Sequence, residues 1–315
     1  MRISGTLIDD TYAEAFTLRA SRLVITAASE RWAAIAARTM TGFATSVIGC
    51  GCEAGPEGPP PERTPDGRPG VRVLVLARSA EVLQDQLMRR VGQCVMTAAT
   101  TACYDDLPSV ETVRVGSLLR FFGDGHQASK VLDAGLAGAA QASPSASTRP
   151  RERRFWRIPV MDGEFVVEDR FGVRRAVAGG NFLILGRTPE ATLLAAERAV
   201  EAIRKVPGVI LPFPGGIVRS GSRVGSKYKK LIASTNSPYC PTLRRSVKTA
   251  LPDDAAGALE IVIDGLTLDD VRRATAEGVR AACGDGITRI SAGNYGGRLG
   301  KHIVHLRPLL EGTGR

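Results

Sequence analysis

One glutamate lies within a short, mostly apolar segment of the C-terminal half, where a carboxyl group could take part in acid–base chemistry. In ALEIVID (258–264), the two-residue repeat of a strand places Glu260 on one face, between Ala258 and Val262. Apolar surroundings disfavour the charged form of a carboxyl group and raise its pKa. Such a group can act as a neutral donor or general acid near pH 7. The same pattern also fits a strand whose Glu260 face is open to solvent.

A long, irregular, glycine-rich run precedes this segment, FPGGIVRSGSRVGSK at 213–227. It contains neither the GxxxxGK[ST] of a P-loop nor a GxGxxG that opens a helix after a strand. Its glycines allow close approach of the backbone to a ligand, and its basic side chains could hold carboxylates or phosphates. A long exposed turn is the alternative. The candidate substrate-binding residues of this run are Gly215, Gly216, Arg219, Ser220 and Lys227, with Arg223 as a further cation.

A polar turn follows, STNSPYCPT at 234–242, in which two prolines restrict the backbone. Rigid turns of this kind can orient a substrate, so Asn236, Tyr239 and Cys240 are further candidate binding residues. An ordinary proline turn is the alternative, and for Cys240 a small buried side chain is the simpler interpretation. No histidine is close to Cys240 in sequence, so we do not expect a thiol nucleophile.

Two other glycine clusters could line a pocket or could be hairpin turns only. SAGNYGGRLG (291–300) lies between the last two predicted strands and supplies Asn294 as a candidate binding residue. TPDGRPG (64–70) carries Arg68.

The composition narrows the class of protein. The 315 residues are 43% hydrophobic, which is enough for one large or two medium domains with real cores. The six cysteines form no CxxC pair and the three histidines lack metal-ligand spacing, so we expect reduced thiols and no metal. No segment resembles a signal peptide or a membrane span, which predicts a cytoplasmic protein without membrane contact. The net charge of +10 favours polyanionic partners, although a solvated basic surface fits equally well.

The elements of the first half predict a split βαβ order between residues 22 and 98. Ahead of it, Thr11 and Glu14 have the spacing of a capping box and predict a short helix. The predicted elements are strands at 21–28, 43–49, 71–77 and 92–98, and helices that begin after Ser29 (ending before Gly42) and after Ser79.

The second half repeats this theme after a stretch of low complexity at 128–154, which is typical of a connector or an inserted loop. The predicted elements are strands within 158–186 with turns at 162–163 and 179–180, a helix after Thr188, a strand at 258–264, a helix after Thr267, and strands at 287–293 and 302–306. We therefore predict the α+β class with two ferredoxin-like (split βαβ) lobes, residues 1–152 and 153–315.

Taken together, the motifs resemble those of formylmethanofuran:tetrahydromethanopterin formyltransferases and extend over nearly the whole chain. The stretch at 128–152 and an extended C-terminal tail depart from that pattern. The matching segments are ITAAS (25–29), GFATSVI (42–48), TPDGRPGV (64–71), GQCVMTA (92–98), FFGDG (121–125), DGEFVVEDRFG (162–172), VAGGNF (177–182), FPGGIVRS (213–220), VGSK (224–227), ASTN (233–236), YCPT (239–242), EIVIDGL (260–266) and ISAGNYGGRLG (290–300).

The resemblance implies two ferredoxin-like lobes, a homo-oligomer that is commonly a tetramer, and reversible formyl transfer between tetrahydromethanopterin and methanofuran. The two carriers are substrates, and no tightly bound cofactor is implied. In methylotrophs the family member is the transferase subunit of a complex whose other subunits are hydrolases. The family assigns catalysis to a buried glutamate, whose motif EIVI falls on Glu260. The carriers of this family are polyanions, which gives the basic residues at 219–227 a role.

Two other functions fit parts of the sequence. The first is a non-catalytic scaffold subunit of the same complex, which the presence of Glu260 and the glycine clusters disfavours. The second is a basic nucleic-acid-binding protein built on ferredoxin-like lobes. The 5% aromatic content and the absence of an RNP-type motif count against that second function.

Overall fold

The computed structural model describes residues 1–132, 153–221 and 223–311. Most of the predicted insertion at 128–152 and the end of the C-terminal tail lie outside these ranges, although residues 128–132 form a strand. No helix in the described ranges has both the length and the hydropathy needed to cross a bilayer.

The described residues form a mixed α/β fold of six helices and eighteen strands. The helices are α1 Glu30–Thr41, α2 Ala80–Arg90, α3 Gly116–Leu119, α4 Pro189–Ile203, α5 Leu268–Ala282 and α6 Leu306–Glu311. The strands are β1 Arg2–Ile3, β2 Thr6–Ile8, β3 Tyr12–Thr26, β4 Glu53–Pro56, β5 Gly70–Ala77, β6 Ala102–Asp105, β7 Thr112–Arg114, β8 Ala128–Leu132, β9 Arg153–Val160, β10 Gly163–Glu168, β11 Arg170–Gly172, β12 Arg174–Gly186, β13 Val209–Ile210, β14 Arg223–Val224, β15 Ala233–Ser234, β16 Gly257–Gly265, β17 Ile287–Ser291 and β18 His302–His305.

The chain divides into two compact units that differ from the predicted lobes. One unit contains residues 19–175, and the other contains residues 1–18 together with 176–315. The N-terminal strands belong to the second unit because β2 pairs in parallel with β17 and the start of β3 pairs with β18. Strands β9 and β10 belong to the first unit because β10 pairs with β6.

In the unit of residues 19–175, the elements follow the order β3-α1-β4-β5-α2-β6. The sheet order is β6-β3-β5-β4 with every neighbouring pair antiparallel, and β10, β9 and β8 extend it beyond β6. Buried residues of these strands, such as Leu23 and Val75, form one core with Ala36, Leu83 and Leu87 of α1 and α2.

The other unit has the same element order, β12-α4-β13-β16-α5-β17. Its sheet order is β17-β12-β16-β13, again with antiparallel neighbours. Phe182 of β12 and Ile261 and Ile263 of β16 pack against Ala196 of α4 and Val279 of α5. The helices therefore cover one face of this sheet.

Four of the five predicted helix starts are confirmed by their caps. The hydroxyl groups of the cap residues accept the backbone N–H three residues later, which satisfies a donor that has no partner within the helix. The pairs are Ser29 with Trp32 at 3.5 Å, Ser79 with Val82 at 3.3 Å, Thr188 with Ala191 at 3.1 Å, and Thr267 with Asp270 at 3.1 Å.

The predicted N-terminal helix is wrong. Residues 12–26 form the single strand β3, in which Glu14 is buried and pairs with Ile303 of β18. The spacing of Thr11 and Glu14 fits a capping box, but the strand is specified by partners far along the chain, which local spacing does not reveal.

Three predictions of local geometry are also wrong. Residues 91–95 form a π-helical turn that continues α2, so the last strand of the first βαββαβ order is β6 and not 92–98. Residues 43–49 form no regular strand beyond an isolated bridge between Thr45 and Glu53. The Gly179–Gly180 pair is not a turn but lies inside β12, where the register against β16 shifts after Val177.

Candidate active site

Glu260 occupies the middle of β16 on the face opposite the helices. Its neighbours Ile261 and Ile263 point into the core with α4 and α5, so strand alternation turns Glu260 to the other face. The residue is only 3% exposed, which excludes the solvent-facing alternative. Its backbone N–H and carbonyl form a bridge with Val218, at 3.0 Å and 2.7 Å. The glycine-rich run is thus attached directly to the strand of Glu260.

The sheet surface around Glu260 is apolar with hydroxyl groups at its edge. Leu183 of β12 lies opposite Glu260, and Ser291 of β17 lies opposite Leu183 on the far side. Leu183 belongs to a small buried cluster with Leu185 and Leu251, against which Tyr239 packs. An acid in such a setting has few water molecules to compete with a bound substrate.

Tyr239 is half-buried beside this cluster and is the predicted binding residue with the clearest role. Burial raises the pKa of the Tyr239 phenol, hydrogen bonding to Ser291 opposes the rise, and the negative charge of Asp9 adds to it. The hydroxyl therefore keeps its proton at neutral pH and can donate a hydrogen bond. Both side chains border Leu183, because Glu260 lies opposite it in the sheet and Tyr239 packs against its cluster.

A second tyrosine, Tyr295, lies in the glycine cluster at 291–300 and contacts the β14–β15 hairpin, a role that the sequence did not reveal. Its hydroxyl accepts a hydrogen bond from the backbone N–H of Val224 at 3.0 Å. Burial raises the pKa of Tyr295, whereas the Val224 N–H and Arg223 oppose the rise. A lone aromatic residue within the glycine cluster at 291–300 was the signal that could have identified it.

Asn294, the residue predicted from that cluster, is exposed, and its side chain makes hydrogen bonds that stabilise the loop. Its side-chain amide donates to the Thr11 hydroxyl at 3.1 Å, and its carbonyl oxygen accepts the Gly296 N–H at 3.5 Å. These contacts fix the loop that carries Tyr295.

The glycines at 215 and 216 have positive φ angles of 66° and 87°. At Gly216, a Cβ atom would lie 2.9 Å from both Leu211 and Val200, so this position admits glycine alone. Gly215 faces open space. The two glycines turn the chain into the bridge that joins Val218 to Glu260.

The polar side chains that follow this bridge are exposed. Arg219 and Ser220 precede the hairpin of β14 and β15, and Lys227 lies in its turn, 5.2 Å above the ring of Tyr228. Arg223 donates to the Ser237 hydroxyl at 3.3 Å, which ties the hairpin to the proline turn. The predicted basic run is therefore a cationic surface on the site's own loops.

Asn236 and Cys240 shape the proline turn. The Asn236 carbonyl accepts the Tyr239 N–H at 2.9 Å and lies 3.5 Å from the Cys240 sulfur, which is also 3.3 Å from the Thr235 hydroxyl. Both residues hold the turn that presents Tyr239. The turn itself is two consecutive 3₁₀ turns at 237–239 and 241–243.

Arg68 is engaged within the other unit. Its guanidinium pairs with Asp66 at 2.8 Å, and the same carboxylate accepts from Thr26 and Tyr104. The cluster at 64–70 is thus a turn held by its own ion pair. Among the described residues there is also no grouping of three or more His, Cys, Asp or Glu side chains suited to a metal ion.

Chemically, this arrangement offers a buried carboxyl group, two protonated phenols and exposed cations on adjoining loops. Such groups can donate protons and stabilise a developing oxyanion while cations hold an anionic substrate.

Comparison with known proteins gives matches along the whole chain. The family model described as formylmethanofuran-tetrahydromethanopterin formyltransferase matches residues 1–137, and the model of the proximal lobe of the same family matches residues 163–309. A protein of Methylobacillus flagellatus named formylmethanofuran–tetrahydromethanopterin formyltransferase is 51% identical over 98% of this chain and 100% of its own length.

Two solved structures have the same fold. One is the formyltransferase/hydrolase complex of Methylorubrum extorquens with methylofuran, which matches with a TM-score of 0.89 and 47% identity over 98% of both chains. The other is the formylmethanofuran:tetrahydromethanopterin formyltransferase of Methanosarcina barkeri, with a TM-score of 0.87 and 44% identity over 98% of this chain and 100% of that one.

Proposed function

Because this chain belongs to the formylmethanofuran–tetrahydromethanopterin formyltransferase family, we propose that it transfers a formyl group between tetrahydromethanopterin and methanofuran or its bacterial analogue. The observation that carries the proposal is the burial of Glu260 at the centre of a site with two protonated tyrosines. The relatives named above share nearly the whole length of the chain, including this site's strands and loops.

In the proposed reaction, the nitrogen of the accepting amine attacks the formamide carbon and forms a new C–N bond. The carbonyl electron pair moves to oxygen and gives a tetrahedral intermediate. Collapse of this intermediate breaks the C–N bond to the donor, whose nitrogen takes up a proton. Glu260 supplies that proton and takes up the N–H proton that the accepting nitrogen gives up, so the carboxyl group is regenerated and no net proton is gained or lost. Glu260 and Tyr239 are the proposed hydrogen-bond donors to the oxyanion. Both carriers leave unchanged apart from the formyl group.

The loops around Glu260 hold the carriers, which in this family carry anionic groups. Exposed cations suit phosphate and carboxylate groups, and glycine backbone allows close approach. The proposed binding residues are Gly215, Gly216, Arg219, Ser220, Lys227, Asn236, Tyr239, Cys240 and Asn294, to which the structure adds Tyr295 as a candidate.

We also propose a finer picture of fold and assembly. The two βαββαβ units with their antiparallel sheet orders support two ferredoxin-like lobes. A 48% identical protein of Methylorubrum extorquens is named as one of the subunits of a formyltransferase/hydrolase complex. This likeness supports hydrolase subunits as partners. We further propose, as the family resemblance implies, a homotetrameric transferase in the cytoplasm that uses the two carriers as substrates without a tightly bound cofactor. A lack of formyl transfer by the isolated chain would instead favour a scaffold role.

The test compares two buried carboxyl groups on the same strand and face. Glu260→Gln keeps the shape of the side chain but removes its acid, and we expect kcat to fall by ~10²–10³ with carrier binding retained. Asp264→Asn is the matched control, because Asp264 is fully buried and its carboxylate accepts a hydrogen bond from the Gly179 N–H at 2.9 Å. It should lower stability while changing kcat only a few-fold. Steady-state kinetics and calorimetric binding measure both, and a near-wild-type kcat for Glu260→Gln would remove Glu260 from the mechanism.

A further inference from the structure

Glu14 is a buried carboxylate of β3 on which four backbone donors converge. Its Oε1 accepts the N–H groups of Tyr295 at 2.5 Å and Gly297 at 2.7 Å. Its Oε2 accepts those of Leu299 at 2.7 Å and Gly300 at 3.2 Å. The side chain therefore satisfies four converging amide donors, an arrangement of the kind that binds anions.

These four hydrogen bonds fix the loop at 295–300, whose glycines would otherwise leave its backbone flexible. Gly296 and Gly297 have positive φ angles of 69° and 75°, and glycine loses the most conformational entropy when it is fixed. Burial by itself raises the pKa of Glu14, but the four amide donors hold it below its ordinary value. The carboxylate is consequently charged at neutral pH, when its hydrogen bonds to the loop are strongest.

The anchored loop leads back to the candidate active site. Tyr295, its first anchored residue, accepts the N–H of Val224 in β14. The preceding residue, Arg223, contacts Ser237 of the proline turn, and Val218, a few residues earlier, forms the bridge to Glu260. A chain of contacts thus runs from Glu14 through Tyr295 to the basic hairpin.

We propose that Glu14 is a positioning residue for this site, which acts through Tyr295 to hold the Arg223-bearing hairpin in its substrate-binding place. This inference rests on the proposed formyl transfer. A residue with this role changes substrate affinity when it is altered, whereas a residue needed only for folding changes stability alone.

The first experiment follows amide hydrogen exchange in the full chain. In Glu14→Gln, one of the two accepting oxygens is replaced by an NH₂ group, which cannot accept a hydrogen bond from the loop. We therefore expect about tenfold faster exchange at Gly297, Leu299 and Val224. Tyr295→Phe, which removes one acceptor, should speed exchange at Val224 and leave Gly297 as in the wild type. Glu168→Gln is the matched control, because Glu168 is a buried carboxylate of the other unit that accepts from Arg153.

The second experiment measures KM and kcat for each carrier in the same variants. Glu14→Gln and Tyr295→Phe should each raise the KM of the same carrier about tenfold and change kcat less. Since the two residues act in series, the double variant should show a KM no higher than that of the more impaired single variant. Glu168→Gln should lower the melting temperature and leave both KM values unchanged.

The outcomes separate this inference from the proposed function. If Glu14→Gln loses stability but keeps wild-type exchange at Val224 and wild-type KM values, Glu14 is a folding residue and the inference is wrong. Additive effects of the two substitutions on KM also contradict it. If the wild-type chain shows no formyl transfer, the proposed function fails, while exchange at Val224 still decides whether Glu14 controls the hairpin.

Discussion

Cys240 is the one thiol in the turn that presents Tyr239, and its surroundings decide between two mechanisms. Its sulfur contacts the Thr235 hydroxyl and the Asn236 carbonyl, and neither group can act as the base that a thiol nucleophile requires. Formyl transfer through a thioester is therefore disfavoured relative to direct attack by the accepting amine.

We expect Cys240→Ala to keep kcat within about threefold, because it removes only a weak hydrogen bond and little volume. Quenched turnover followed by intact-mass measurement should show no formylated protein in the wild type. Cys283→Ala, at a half-buried thiol of the same unit, controls for loss of packing. A loss of kcat by several orders of magnitude in Cys240→Ala alone would restore the thioester mechanism.

At the residue scale, the sequence identified site residues from the alternation of side chains along a strand. It missed residues whose role depends on contacts with segments far away in the sequence. The alternation in β16 placed Glu260 between Ala258 and Val262 and left open whether that face is buried or exposed, and in the structure Glu260 is buried. Glu14 was misassigned to a helix cap, because its partners at 295–300 lie at the other end of the sequence. Asn294 was predicted instead of Tyr295, since nothing local shows that the Tyr295 hydroxyl contacts Val224 of the hairpin.

The β14–β15 hairpin and the segment before it form the element on which affinity should depend. Arg219, Arg223 and Lys227 are exposed there, on loops that begin at the bridge to Glu260. Cations at such positions attract anionic carriers without taking part in bond breaking, and salt screens the attraction.

We therefore expect Arg219→Ala to raise KM by about tenfold and to lower kcat by less than threefold. Raising the ionic strength should increase the wild-type KM more steeply than that of the variant. Arg272→Ala on α5 removes the same charge from the side of the sheet opposite Glu260, where Arg272 pairs with Asp269. Equal KM values for the wild type and Arg219→Ala would refute the proposal that Arg219 binds an anionic group of the carrier.

At the element scale, predictions succeeded where the signal was local. Ser29, Ser79, Thr188 and Thr267 each start a helix as predicted, because a cap is defined by residues three apart. The segment 92–98 was predicted as a strand because its apolar content fits a strand or a helix equally well. In the structure, residues 91–95 continue α2 as a π-helical turn.

At the scale of the whole molecule, the mixed class and the repeated βαββαβ order followed from the alternation of elements, whereas the division of the chain did not. The first eighteen residues join the C-terminal half through β17 and β18. Pairing between the two ends of the chain does not alter the local hydrophobic periodicity. The sequence therefore favoured a boundary at the low-complexity stretch, between residues 152 and 153.

Global stability should also depend on a carboxyl pair in the unit of residues 19–175. Asp105 lies beside Glu168, whose carboxylate accepts the Asp105 N–H at 2.9 Å and is ion-paired with Arg153 at 2.6 Å. Burial, together with the negative charge of Glu168, raises the pKa of Asp105 to about 7, although the Gly172 and Leu107 amides and Arg153 oppose the rise.

The sign of the pH effect follows from this raised pKa. Between the ordinary aspartate pKa near 4 and about 7, the folded chain holds a proton on Asp105 that the unfolded chain has released. The contribution of Asp105 to the free energy of unfolding is therefore largest below pH 4 and declines as pH rises to 7. A rise of the Asp105 pKa from near 4 to about 7 corresponds to a decline of about 4 kcal/mol in the free energy of unfolding.

Asp105→Asn should remove this decline, since an amide does not ionise and its oxygen can still accept the Gly172 N–H, now at 2.8 Å. Denaturant unfolding at pH 5 and pH 8 measures the free energy of unfolding. We expect the stability of the variant relative to the wild type to be higher at pH 8 than at pH 5. Asp85→Asn on α2 removes the same charge at an exposed position, where Asp85 pairs with Arg89. If both variants and the wild type changed alike between the two pH values, Asp105 would not be the group that couples folding to pH.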